Sequence, residues 1–140
     1  RIGTASYTKA FIGGIRGRTT DAADAVAVLV SSTGQLGTVS SSEKYKKDIE
    51  ALEGSEIIYS LNPVSFRYKE QESEKKSIGL IAEHVEKVYP DMAIYQPAED
   101  EEGEDELLTV DYARLNILLL AEVQKIRAEL DQLKSVISLA

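Results

Sequence analysis

Toward the C-terminus the apolar residues recur at alternating spacings of four and three: Leu119, Val123, Ile126, Leu130, Leu133, Ile137 and Ala140. With Val123, Leu130 and Ile137 at position a and Leu119, Ile126, Leu133 and Ala140 at position d, they form a coiled-coil seam of about three heptads. Leu at d suits a dimer, but the mixture of β-branched and Leu residues at a leaves the copy number open. The competing reading is one amphipathic helix packed on its own domain.

Upstream the periodicity shortens. Val64, Phe66 and Tyr68 alternate with polar residues as on a half-buried strand, and the polar stretch from Glu70 to Ser77 reads as a hairpin loop. Ser77-Ile78-Gly79-Leu80-Ile81 leads into a helix whose Ile81, Val85 and Val88 share a face and which Tyr89-Pro90 ends. Ala93-Ile94-Tyr95 and Leu107-Leu108-Thr109-Val110 are suited to pair around the acidic loop Glu99 to Glu106. Between Ser40 and Leu52, the side chains of Tyr45, Ile49 and Leu52 fall on one helical face. Ser40 and Glu43 have capping-box spacing, so a helix closed by Gly54 is expected there.

Residues 1–39 read differently, as short β pieces at Ser6-Tyr7-Thr8, Phe11-Ile12, Ala25 to Val30 and Leu36 to Val39, with a turn over Ser31 to Gln35. Strands so short and Gly-rich do not close a domain. They need partners, either the rest of a longer chain or copies of themselves.

Composition sharpens this boundary. The first 41 residues hold Arg1, Lys9, Arg16 and Arg18 against Asp21 and Asp24, a net +2, so the rest carries −10 of the total of −8. Six of the nine glycines also lie within the first 37 residues. An acidic surface of that size argues against nucleic acid and anionic membranes as partners, because both require phosphate charge to be neutralised by Lys and Arg. No apolar run is long enough to span a bilayer. With no Cys and one His in 140 residues, disulfides, thiol nucleophiles, thiolate zinc sites and His clusters are all excluded. No cofactor or metal is expected.

What remains is hydroxyl and amine chemistry. Ser40, Ser41, Ser42 and Lys46 are the one constellation suited to a reaction without metal or cofactor. A Ser hydroxyl becomes a nucleophile when a base takes its proton, and a Lys serves as that base when burial or neighbouring cations, here Lys44 and Lys47, favour its neutral form. A helical turn would bring Ser41 or Ser42 within reach of Lys46. Taken alone, these residues suit a solvated helix N-terminus with a serine cap better than a catalytic dyad. His84, beside Glu83 and Glu86, reads as a polar-face residue. The acidic run lacks the alternating oxygen ligands of a calcium loop. Gly13-Gly14-Ile15-Arg16-Gly17 lacks the Lys-Ser/Thr ending of a phosphate loop and is better explained by close backbone packing.

The order of the blocks carries more than any one of them. Gly34-Gln35-Leu36-Gly37-Thr38-Val39-Ser40-Ser41-Ser42, Tyr45-Lys46-Lys47-Asp48-Ile49, Leu61-Asn62-Pro63-Val64-Ser65-Phe66-Arg67-Tyr68, Gly79-Leu80-Ile81-Ala82-Glu83-His84-Val85 with Tyr89-Pro90, and Val110-Asp111-Tyr112-Ala113-Arg114-Leu115 precede the terminal coil. Together they resemble the C-terminal intramolecular chaperone domain of phage tail spikes, endosialidases and neck appendages, the S74 family of self-cleaving peptidases. The upstream Phe11-Ile12-Gly13-Gly14-Ile15-Arg16-Gly17 is similar to the end of the fibrous stalk that such domains follow.

The resemblance implies an α+β fold: a Gly-rich β-stalk segment, a small mixed α/β globular part, and a long C-terminal helix forming a homotrimeric coiled coil. On this reading residues 1–40 end a trimeric β-stalk, 41–110 form the chaperone and auto-processing domain, and 111–140 form the C-terminal helix and coil. The partners are the chain's own copies and its own stalk, with no nucleic acid and no membrane. The setting is a virion tail or appendage precursor made in the bacterial host cytoplasm, from which the chaperone part is released. The family's Ser lies five positions before its Lys, which maps onto Ser41 and Lys46, with Ser42 as the fallback nucleophile. Cleavage then adjoins Ser41, among Ser40, Ser41 and Ser42. The alternative is a structural trimerisation cap that never cuts.

Overall fold

The chain divides into two units, residues 1–40 and 41–140, in a computed structural model that describes residues 9–70, 72, 74–98 and 102–139. In the first unit a hairpin forms between β1 (Leu29–Val30) and β2 (Leu36–Gly37), antiparallel, with Val30 opposite Leu36. Its loop is closed by backbone bonds from Ser31 N–H to Gln35 O at 2.9 Å and from Gly34 N–H to Ser31 O at 2.9 Å. Ser31 Oγ also accepts from the Gln35 N–H at 3.1 Å, the local competition with extended structure that makes Ser a turn residue.

The other strands expected in this unit do not form. Phe11-Ile12 and residues 25–28 are irregular, and Ser6-Tyr7-Thr8 lies outside the described residues. A strand exists through its partner's ladder, and among the described residues no strand partner lies beside these segments. Close packing of Gly13-Gly14-Ile15-Arg16-Gly17 is also corrected: a Cβ at Gly13, Gly14 or Gly17 would meet nothing within 4 Å. Gly14 and Gly17 instead take positive φ, 77° and 75°, in two turns. Every described residue of this unit is exposed.

The second unit is mixed α/β with small sheets and one long helix. After a 3-10 turn at Glu43–Tyr45 and a 3-10 helix at Ser55–Ser60, β3 (Val64–Phe66) pairs antiparallel with β4 (Ser77–Gly79), in the register Val64 to Gly79 and Phe66 to Ser77. Val64 and Phe66 are half-buried and Ser65 exposed, as their alternation predicts. Tyr68 lies beyond the strand and meets Phe66 edge to face, 5.2 Å between centroids. Helix α1 (Ala82–Val88) buries Val85, and Tyr89-Pro90 turns the chain into a 3-10 helix at Pro90–Met92. A second hairpin, β5 (Ala93–Gln96) with β6 (Glu106–Val110), carries a bulge at Ile94/Tyr95. Of the acidic run at its tip, residues 99–101 lie outside the described residues, and Asp105 Oδ1 accepts from the Ala98 N–H at 3.1 Å.

Helix α2 (Tyr112–Leu139) follows immediately. Asp111 starts it: its Oδ1 accepts from the N–H groups of Ala113 at 3.0 Å and Arg114 at 3.1 Å, satisfying two donors of the first turn. Asp111 is itself held by its N–H, which donates to Met92 O at 2.8 Å. The core beneath is Val85, Met92, Val110 and Leu118, ringed by half-buried residues including Ile57, Ile58, Leu61 and Leu115. Among the described residues no helix is long and apolar enough to cross a membrane.

One close approach ties the β3–β4 hairpin to α2. The Leu80 N–H donates to Tyr112 Oη at 2.9 Å, and a Cβ on Gly79 would stand 2.7 Å from that same oxygen. Gly79→Ala is therefore expected to destabilise the domain by about 1–3 kcal/mol. In a Tyr112→Phe background, which itself loses about 1 kcal/mol with the hydrogen bond, the alanine should cost much less. A denaturant-unfolding double-mutant cycle measures that difference, and equal costs in both backgrounds would exclude the contact.

Candidate functional site

The helix expected over Ser40 to Leu52 is absent. One 3-10 turn forms at Glu43–Tyr45, with N–H bonds from Tyr45 to Ser42 O at 3.1 Å and from Lys46 to Glu43 O at 2.9 Å. Ser42 before it and Lys46 after it are both extended, at φ/ψ of −65°/134° and −115°/152°. Ser42 occupies the cap position without a side-chain capping bond, and Asp48, at φ 52°, breaks any continuation. The physical reason is that the apolar face has nothing to pack on. Tyr45, Ile49 and Leu52 are all exposed, and an unpacked helix of about a dozen residues is marginal in water. Lys44 instead lays its ammonium over the Tyr45 ring, 4.7 Å from the centroid.

Ser41 and Lys46 thus flank a single 3-10 turn. Both are exposed, as are Ser40 and Ser42, and no hydrogen bond joins Ser41 to Lys46. The helical turn expected to bring them together is absent.

A second polar group, invisible to the sequence reading, lies where the Ser55–Ser60 helix meets α2. Ser55 and Glu122 are buried, and Ser55 Oγ donates to Glu122 Oε1 at 2.6 Å across 67 residues of chain. Lys125 Nζ lies 2.9 Å from Glu122 Oε1 and 3.1 Å from Glu56 Oε2, and the Tyr59 hydroxyl also bonds Glu122. The Ser55 bond, aided by Lys125, holds the Glu122 carboxyl below its ordinary range, while Glu122 raises Lys125 and Tyr59. Sequence offered half of this signal. Glu122 and Lys125 are neighbours at i,i+3, but nothing marks Ser55 as their partner.

The same helix separates two faces. Leu115, Leu118 and Glu122 turn toward the domain, whereas the seam residues Leu119, Val123, Ile126, Leu130, Leu133 and Ile137 are all exposed, between 43% and 74%. At about 100° per residue these stripes lie roughly a quarter-turn apart. The domain therefore does not occupy the seam. Ala140 lies outside the described residues.

His84 borders an apolar hollow of 180 Å³ with Leu61, Leu80, Ile81, Val85 and Val88. Among the described residues no group of three or more His, Cys, Asp or Glu is placed to hold a metal ion. Glu86 engages α1 with β5, accepting from the Tyr95 hydroxyl.

Comparison with known proteins adds one finding. Residues 41–94 match the model of the Peptidase S74 family, described as chaperone of endosialidase. No curated protein matches the chain.

The buried clamp predicts a pH response. A carboxyl whose folded pKa is depressed contributes stability that is fully present above the ordinary glutamate range near pH 4.5 and is lost as pH falls through the folded value. The thermal unfolding temperature should therefore fall with acidification below about pH 4.5, and Glu122→Gln should flatten that dependence. Ser55→Ala should cost about 1–3 kcal/mol at neutral pH. A Ser55→Ala variant as stable as the parent would show that the clamp contributes nothing.

Proposed function

From the S74 chaperone similarity of residues 41–94, we propose that the chain is a homotrimeric intramolecular chaperone that templates the β-stalk ending at residue 40 and then cuts itself free beside Ser41. One observation carries this reading: the family match and the second structural unit both begin at Ser41, the residue that the ordered sequence blocks assign as nucleophile. The setting fits a phage tail or appendage precursor folded in the bacterial cytoplasm.

The energetics favour such a device. Winding three chains into one stalk carries a large association and loop-closure cost before any stalk contact forms. A domain that trimerises first makes the later pairing effectively intramolecular. The exposed seam of α2 supplies the association, and the segments at Phe11-Ile12 and residues 25–28, which form no strand among the described residues, are a client that stands to gain strands from its copies.

In the cleavage step, a neutral Lys46 amine takes the Ser41 hydroxyl proton and Oγ attacks the Ser40 carbonyl carbon through a five-membered ring. The C–N bond breaks, the Ser41 amine takes up the proton, and an ester now joins residue 40 to Ser41 Oγ. Water hydrolyses that ester, leaving a carboxylate at Ser40 and a free hydroxyl and amine at Ser41. A lysine base needs removal from water. Lys46 is exposed in the single chain, so assembly is what would cover it and time the cut after folding. The same exposure, with no hydrogen bond between Ser41 and Lys46, also favours the second reading, a cap that trimerises but never cuts.

On a denaturing gel the parent chain should resolve into fragments of residues 1–40 and 41–140. Ser41→Ala should remain one band, and Lys46→Ala should process about 10²-fold more slowly or not at all. One band from all three leaves the non-cleaving cap. Sedimentation should find a trimer, and a monomer would remove the chaperone reading itself.

A further inference from the structure

Two residues between Lys46 and the buried clamp take backbone conformations that most side chains avoid. Asp48 has a φ of 52° and Gly54 a φ of 71°. Packing explains neither. Every residue from 41 to 54 is exposed, so no contact with the core forces Asp48 into the left-handed region. A Cβ on Gly54 would meet nothing within 4 Å, so the missing side chain serves the backbone alone. In that region an L-residue crowds its Cβ against a carbonyl oxygen, a conflict that Gly escapes and that Asp and Asn tolerate better than others. Both positions thus hold residue types suited to the conformation, and a non-Gly residue kept there at an exposed site points to a use for the turn itself.

Their places in the chain indicate that use. Gly54 immediately precedes Ser55, which is fully buried on Glu122. Asp48 lies two residues after Lys46, beyond the 3-10 turn that Ser42 and Lys46 flank. Between the two, residues 49–53 run without helix, strand or turn. The segment is therefore an arm with a left-handed corner at each end. The inner corner joins it to the anchored body, and the outer one sets the direction of the turn at its tip. Ser41 and Lys46 both lie on the outer side of Asp48, so straightening that corner leaves their separation along the chain unchanged but swings the pair as a unit.

We propose that Asp48 is a positioning residue for self-cleavage: its left-handed backbone, together with that of Gly54, aims the arm that carries Ser41 and Lys46 at the cover that assembly provides. The proposal rests on the Ser41/Lys46 reading above and adds what directs the pair. The backbone of Asp48 carries the role, and its carboxylate does not.

The test times cleavage of the full chain on denaturing gels, with sedimentation and thermal unfolding followed in parallel. A β-branched side chain is the least tolerated at positive φ, so Asp48→Val should slow cleavage about tenfold or more while oligomer and unfolding temperature stay at the parent's values. Asp48→Gly and Asp48→Asn, which keep the left-handed conformation accessible without the carboxylate, should cut within about twofold of the parent rate. At the inner corner Gly54→Val should be slow and Gly54→Asn should restore most of the rate. An Asp48→Val chain that cuts as fast as the parent overturns the proposal. So do Asp48→Gly and Asp48→Asn chains as slow as Asp48→Val, since the carboxylate would then be what matters, and so does an Asp48→Val chain that loses its oligomer along with its cut. A parent chain that is never cut overturns the Ser41/Lys46 reading and this proposal together.

Discussion

Helix α2 is held to its domain by a buried carboxylate, and which face of the helix stays exposed follows from that. Glu122 has little contact with water, and a buried charge is tolerated only where it is paired and hydrogen-bonded. Ser55, Lys125 and Tyr59 supply those partners. Leu118, one turn earlier, enters the core with Val85, Met92 and Val110. A hydrophobic contact alone would tolerate some rotation of the helix about its axis. The Ser55–Glu122 bond does not, because a rotation would strand the carboxylate. Fixing that face fixes its neighbour: Leu119, Val123 and Ile126 point away from the domain.

The segment that carries the proposed chemistry is joined to the same anchor. Ser55 follows the stretch 41–54, which is exposed throughout and almost devoid of regular structure, after Gly54 turns the chain at φ 71°. The domain thus has an ordered half, built on four buried apolar side chains, and an uncovered half holding Ser41 and Lys46. For the proposed function this division is useful. A nucleophile and base that were already assembled in the single chain would cut before the stalk had formed, whereas groups that depend on neighbouring copies for cover act only after assembly.

Much of the second unit was legible because its signals are local. The alternation of Val64 and Phe66, the stop at Tyr89-Pro90, the pairing of Ala93-Ile94-Tyr95 with Leu107 to Val110, which the structure extends by one residue to Gln96 and Glu106, and the long terminal helix all appear as read. The helix over Ser40 to Leu52 was misread for a physical reason: Tyr45, Ile49 and Leu52 have helical spacing, but spacing produces a helix only where a surface receives the face, and here none does. The β pieces around Phe11-Ile12 and residues 25–28 failed in the same way, since a strand's hydrogen bonds belong to its partner.

The candidate site divides along the same line. Ser41, Lys46 and the heptad seam are properties of order and spacing along one chain, so residue identities alone were enough to single them out. The clamp of Ser55, Glu56, Tyr59, Glu122 and Lys125 is assembled from segments about 67 residues apart, and the choice of Glu122 as buried rather than solvated depends on which face of α2 meets the core. Local periodicity sets which residues share a stripe. Which stripe is covered by the chain itself, and which is left exposed, is settled only when distant segments compete for the same apolar surface.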